Sequence, residues 1–207
     1  MSSLFLCNEK QKDNIYKDPL TFIDTLDSNK HIVLYYENRE FGQKIQFQFI
    51  RNGLLKGQNC IYITHNDDVS SIENEMMNND IDVEEFNKKG LLNIYKIPDI
   101  LNHPKGVIEG AKEIINKMFY GLTPPFRLVA RMLDEINTKE QIESSLALEQ
   151  VYHSNFHQFN GLLLCPYDVS NNPLNTQGKW VETILENHHS AIFVTATAEQ
   201  GIAFDMN

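Results

Sequence analysis

A chain of 207 residues can bury a substantial core as one domain without disulfides or a structural metal. Its 28 acidic residues against 18 basic ones give a formal charge of -10, and the basic residues are scattered, so the concentrated basic footprint needed for direct nucleic-acid binding is missing. The three cysteines (Cys7, Cys60, Cys165) are widely spaced and form no CxxC pattern, the start MSSLFLCNEKQKD has no basic leader, and no apolar run approaches the ~18 residues of a membrane span; the expectation is a cytoplasmic protein with reduced thiols.

Residues 1–17 read as a flexible N-terminal segment and 18–207 as a single domain. Asp18-Pro19 followed by LTFIDTLDSNK has the form of an N-cap, a first-turn proline and a short amphipathic helix. HIVLYY (31–36) is the first strand, a helix spans 39–55 and closes at Gly57, and CIYIT (60–64) is a second buried strand. VSSIENEMMNND and DVEEFNKKG read as helices, and LLNIYKI (91–97) as the third strand. Val107, Ala111, Ile114, Ile115 and Met118 recur at helical spacing before Pro124 and Pro125, and FRLVARML (126–133) follows as the fourth strand. A long helix is expected over 139–156, then GLLLCPY (161–167) as strand five, a helix around 180–186, and AIFVTAT (191–197) as strand six or an edge strand.

Short apolar strands alternating with amphipathic helices predict an α/β fold with a mainly parallel central sheet covered on both faces. In such sheets ligands lie in the crevice beyond the carboxyl ends of the strands. The residues delivered there are Glu37, Asn38 and Arg39 after strand one, and His65, Asn66, Asp67 and Asp68 after strand two. Pro98 and Asp99 follow strand three, Arg131, Asp134 and Glu135 strand four, and Tyr167 and Asp168 strand five. Strand-end loops are polar in any protein, so each residue also has a plain reading as solvated loop. From this set the expected ligand-binding residues are Glu37, Arg39, His65, Asp67, Arg131, Asp134, Glu135, Tyr167 and Asp168.

ENREFGQK (37–44) occupies the place where a nucleotide-binding protein carries its phosphate loop, GxxxxGK[ST]. With Gly42 as the second glycine, Glu37 replaces the first, Gln43 the lysine and Lys44 the Ser/Thr that holds Mg²⁺. Shifting the frame to make Lys44 the motif lysine removes both glycines. In neither frame does the loop offer the usual backbone cradle for a triphosphate.

The order HIVLYYENREFGQKIQFQFIRNGLLKGQNCIYITHNDD resembles the first third of the RecA-like ATPases related to KaiC. Those enzymes carry a Glu pair after the second strand; the matching positions here are Asn66 and Asp67. The chain is also similar, over nearly its whole length, to the MEDS family, the methanogen/methylotroph, DcmR-type sensory domain, an inactivated relative of the same fold. The resemblance is carried by HIVLYY, RNGLLKGQN, IDVEEFNKKGLLNIY, ARMLDE, LALEQVYHSNF, LLLCPYD and the histidine of ENHHSAIF. It implies a RecA/KaiC-like three-layer sandwich and a small-molecule sensory role, with hydrocarbon derivatives as ligands. The family's repressor also carries a DNA-binding segment. Here only about 17 residues precede the first expected helix and only ten follow the last expected strand, so output is expected through a protein partner or self-association.

Glu149, His153 and His157 lie four apart on one expected helix face and could hold zinc. Three ligands over two turns converge only if the helix bends, so no metal is assigned, and no cofactor. His188 and His189 read as a cap and a surface group, or as groups reaching the crevice and titrating near neutrality. Cys165 reads as a buried small hydrophobe rather than a nucleophile. Arg131 with Asp134 and Glu135 resembles the end of a Walker B strand; it is either a paired buried arginine or a bidentate grip on a ligand carboxylate or phosphate.

The sequence thus points to a stand-alone sensory domain without ATPase activity that takes a small organic or anionic ligand. The alternative is a nucleotide-binding KaiC-like pseudoenzyme or weak ATPase. A scaffold whose own side chains fill the crevice is a third reading.

Overall fold

A computed structural model describes residues 16–27, 29–134, 136–170, 178–197 and 199–206. Asp18 accepts hydrogen bonds from the backbone N–H groups of Leu20 and Thr21, with Pro19 at the first helical position, and so starts α1 (Pro19–Asp24). The chain continues through β1 (Lys30–Tyr36), α2 (Arg39–Leu55), β2 (Asn59–Thr64), α3 (Val69–Met77), α4 (Val83–Lys88), β3 (Leu92–Lys96) and α5 (Val107–Phe119). After β4 (Phe126–Val129), a Thr138–Gln141 capping box opens α6 (Lys139–Asn155). A short 3₁₀ turn (Phe156–Gln158), β5 (Gly161–Asp168), α7 (Gly178–Glu186), β6 (Ser190–Val194) and β7 (Gly201–Asp205) complete the order.

The seven strands form one sheet, β3-β2-β4-β5-β1-β6-β7, parallel except for the antiparallel β6–β7 pair. Strand parity divides the interior into two cores. Ile32, Leu34, Cys60, Tyr62, Val129, Leu162, Leu164 and Ile192 pack with Phe22 of α1, Phe41, Ile45 and Phe49 of α2, Met76 of α3 and Phe86 of α4. Val33, Tyr35, Ile61, Ile63, Leu128, Leu163, Cys165, Tyr167 and Ala191 pack with Ala111 and Met118 of α5, Leu148 of α6, and Trp180 and Ile184 of α7. Helices therefore cover both faces, and the strands are apolar on both sides, as a buried parallel sheet requires. Among the described residues no helix is long and apolar enough to cross a membrane.

Two expectations change. AIFVTAT supplies strand six, as β6, but it is not an edge: β7 follows it and is itself the edge. Glycine at 201 and the alternation of Ile202 and Phe204 with buried Ala203 make a weak strand signal, and pairing with β6 supplies what local propensity does not. β4 ends at Val129 rather than Leu133. Ala130 N–H still donates to Leu164 O at 3.0 Å, after which the chain leaves the ladder and turns across the end of the sheet.

Arg127 is the fully buried arginine of the fold. Lying under α2, it donates from Nε to Gln58 Oε1 at 2.8 Å, from one terminal nitrogen to Phe49 O at 2.9 Å and from the other to Leu26 O at 3.3 Å. Its guanidinium packs 4.9 Å from the centroid of the Phe49 ring. A Cβ on Gly53 would lie 2.4 Å from Arg127 Cδ, so the glycine of RNGLLKG makes room for this side chain.

Candidate functional site

Beyond the carboxyl ends of the strands lies a cleft of about 400 Å³. Seven of the nine expected residues line it: Arg39, His65, Asp67, Arg131, Asp134, Tyr167 and Asp168. Glu37 is not among its lining residues, because its carboxylate accepts a hydrogen bond from Ala196 N–H at 3.0 Å and so turns toward the end of β6. Glu135 lies outside the described residues. Gln43, Gln46, Tyr62, Asn137 and Trp180 also line the cleft. Gln43 and Gln46 come from α2, Tyr62 from within β2, Asn137 from the segment before α6 and Trp180 from α7, positions that a rule about the first residues beyond strand ends does not reach.

On one wall, Arg131 donates to the backbone carbonyl of Asp134, stands 3.7 Å from the Asp134 carboxylate and packs its guanidinium 5.7 Å from the centroid of the Tyr167 ring. His65 Nε2–H donates to Arg131 O at 2.7 Å, and burial lowers the imidazole pKa below its ordinary value. Asn66 donates to Asp134 Oδ2 at 2.6 Å. Across the cleft, Arg39 stands 3.7 Å from Asp67.

The ENREFGQK segment forms the first turns of α2, where Asn38 caps Phe41 N–H at 3.0 Å. Gln43 donates to Glu75, and Lys44 is held at 2.8 Å from Glu199. A Cβ on Gly42 would meet Tyr36 Cγ at 2.5 Å; the glycine lets the Tyr36 ring close on the helix.

A second space of about 160 Å³, lined by apolar side chains of α5, α6, β4 and β5, shares Arg131 and Tyr167 with the cleft. Tyr167 presents its ring to Arg131 and donates its hydroxyl inward to Glu149. Burial pushes the Glu149 carboxyl up to about 7, against the opposing hydrogen bonds from Tyr167 and Cys165.

Glu149, His153 and His157 do not converge. Glu149 is buried on α6, while His157 falls on the 3₁₀ turn, exposed, with its Nε2 3.4 Å from Gln158 Nε2. His188 and His189 do not line the cleft. His188 is buried, its Nδ1–H donating to Ile184 O at 2.7 Å, and burial depresses its pKa to about 3. His189 accepts from His31 N–H at 2.9 Å through Nδ1. Cys165 is buried, as expected, with burial raising its thiol pKa well above the ordinary value.

No curated protein matches the sequence. Among solved structures, a KaiC-like protein from the hyperthermophilic archaeon Pyrococcus horikoshii OT3 superposes with a TM-score of 0.60 at 15% identity, covering 82% of this chain and 73% of that one. At that identity the likeness establishes a RecA-like sandwich and nothing of the activity. A sequence model of the MEDS family, MEthanogen/methylotroph, DcmR Sensory domain, matches residues 30–183. From the first strand through α6 and β5 into the last helix, this chain belongs to the MEDS sensory-domain family.

Proposed function

We propose that the chain senses a small organic ligand carrying an anionic or hydrogen-bond-accepting group, bound in the strand-end cleft without nucleotide hydrolysis. The observation that carries this is Arg131 on the cleft wall: Asp134 O takes one of its five N–H donors, and the Tyr167 ring fixes its plane. Its side chain is 18% exposed, so desolvation is largely complete before a ligand arrives and a bidentate contact is strengthened. The cleft volume of about 400 Å³ falls within the range of small-molecule sites.

The loop geometry supports the absence of phosphate chemistry. The two side chains that would handle charge and Mg²⁺ are engaged elsewhere, Gln43 with Glu75 and Lys44 with Glu199. The positions of the ATPase Glu pair hold Asn66, tied to Asp134, and Asp67, beside Arg39. Occupancy is passed to a protein partner or a second copy of the chain.

The test is a thermal-shift screen of small carboxylates, sulfonates and neutral polar organics, since a ligand confined to the folded state stabilises it by about 2.7 kcal/mol at 100 Kd. Arg131→Ala is expected to raise Kd roughly 10-fold or more, the loss of a charge-assisted contact, while Lys44→Ala leaves it unchanged. Equal loss in both variants, or hits indifferent to Arg131, overturns the reading.

A further inference from the structure

On the opposite side of Tyr167 from the cleft, four side chains from four elements converge. His31 is the second residue of β1, Cys165 lies in β5, Glu149 is on α6 and His188 follows α7. Parity explains the meeting of the first two: His31 shares its strand face with Val33 and Tyr35, and Cys165 shares its own with Leu163 and Tyr167, on the α5–α7 side of adjacent parallel strands. The α6 register turns Glu149 onto that face, and α7 ends with His188 beside it.

We propose that His31, Glu149, Cys165 and His188 form a site for a divalent transition-metal ion, zinc being the ion their geometry and donor set fit best. His31 Nε2 is 3.2 Å from Cys165 Sγ and 3.4 Å from Glu149 Oε2, and His188 Nε2 is 3.7 Å from that same oxygen. All four donor atoms lie within 4.8 Å of one another. A tetrahedral zinc with Zn–N and Zn–O near 2.0–2.1 Å and Zn–S near 2.3 Å holds its ligand atoms roughly 3.3–3.6 Å apart. The three separations of 3.2–3.7 Å already match this within a few tenths of an ångström, and the wider pairs, up to 4.8 Å, close by about 1 Å when an ion binds.

The surrounding bonds hold two of the four donor groups, His188 and Glu149, in ligating orientation. His188 donates Nδ1–H to Ile184 O at 2.7 Å, which places the lone pair on Nε2, toward Glu149. Tyr167 donates to Glu149 Oε1 and leaves Oε2 facing the two histidines. These are the outer contacts that metal-binding imidazoles and carboxylates require. Glu149 Oε2 and His188 Nε2 are both buried without a hydrogen-bond partner, an arrangement that is costly in a closed apolar core. An ion bound to both satisfies them.

Charge fits as well. Two neutral imidazoles, a thiolate and a carboxylate around a divalent cation sum to zero, so the loaded centre adds no net charge to the interior. The apolar space of about 160 Å³ touches Glu149 and Cys165 and offers the nearest approach for an ion. The inference does not depend on the strand-end ligand reading.

The test begins with the full chain expressed in zinc-supplemented medium, with metal content measured by mass spectrometry. The expected result is one zinc per chain, retained through gel filtration. Exchange for Co²⁺ should give visible bands of tetrahedral cobalt and a near-ultraviolet thiolate charge-transfer band. Cys165→Ser should abolish the thiolate band and Glu149→Gln should weaken metal affinity, each with the far-ultraviolet circular dichroism of the folded chain. Tyr167→Phe should weaken affinity about 10–100-fold while keeping the cobalt spectrum. The cobalt spectrum of the unaltered chain decides the matter even where a variant fails to fold. A chain that carries no zinc and gives no tetrahedral cobalt spectrum overturns the proposal, as does binding that the Cys165 and Glu149 substitutions leave intact.

Discussion

Arg127 offers a sharp test of how this fold is held together, because it is a fully buried arginine with no ion-paired carboxylate among the described residues. Burial lowers its pKa to about 10, so it remains charged at neutral pH. Its charge is satisfied by Gln58 Oε1, Phe49 O and Leu26 O, and by packing on the Phe49 ring. Arg127→Ala leaves a cavity between α2 and β4 and withdraws all three bonds; a large-to-small change at a buried polar site costs about 3–5 kcal/mol. Arg127→Met retains most of the volume and removes the desolvation cost of the charge. Of the acceptors left behind, Leu26 O keeps Lys56 Nζ at 3.1 Å and Phe49 O lies in the interior of α2. The Met variant should therefore lose less than about 2 kcal/mol. Urea unfolding at equilibrium measures both, and in a melt the Ala variant should fall roughly 6–20 °C, at ~2–4 °C per kcal/mol for this size. An Ala variant within ~1 kcal/mol of the parent, or a Met variant as unstable as the Ala variant, refutes the reasoning.

Gly42→Ala places a Cβ 2.5 Å from Tyr36 Cγ; overpacking of about 1–3 kcal/mol against a helical gain of about 0.5–1 kcal/mol for alanine gives a net loss of up to roughly 2.5 kcal/mol in thermal unfolding. A higher Tm shows that the glycine does not serve the Tyr36 contact. For His65 the folded pKa lies below the unfolded value, so the folded state binds fewer protons and stability rises with pH between the two. His65 should therefore destabilise the chain as pH falls below about 6.5 and have no pH-dependent effect above it. His65→Asn should lose less stability than the parent between about pH 7 and pH 5 in urea titrations; a steeper acid loss in the variant reverses the assigned sign. Gly53→Ala, with its Cβ 2.4 Å from Arg127 Cδ and 2.7 Å from Cys60 Sγ, should cost about 1–3 kcal/mol, and parent-like stability contradicts the packing described.

The sheet and the layering were legible because parallel strands buried on both faces read as unbroken apolar runs, and α2 could be placed at 39–55 with Gly57 closing it. β7 was not legible, since its support comes from pairing with β6 rather than from its own residues. The strand-end rule brought Arg39, His65, Asp67, Arg131 and Asp134 to one cleft, because chain direction alone decides which end of a parallel strand they leave. It did not foresee Glu37 turning to Ala196, a contact set by the local bend after β6. The buried His31–Glu149–Cys165–His188 cluster was hidden for a different reason. Each residue has an ordinary reading in its own segment, and only the register of β1 against β5 and the packing of α6 and α7 bring them together. A histidine opening a buried strand and a glutamate on the core side of a helix were the available signals.

The claim that matters most is that the strand-end cleft serves a small organic ligand rather than a nucleotide. Its most direct test is a thermal-shift titration of the full chain with ATP, ADP and GTP, each with and without Mg²⁺. With Gln43 and Lys44 engaged by Glu75 and Glu199, no nucleotide should raise the melting temperature under either condition. A saturable, Mg²⁺-dependent rise would contradict the account and make ENREFGQK a working phosphate loop of an unconventional kind.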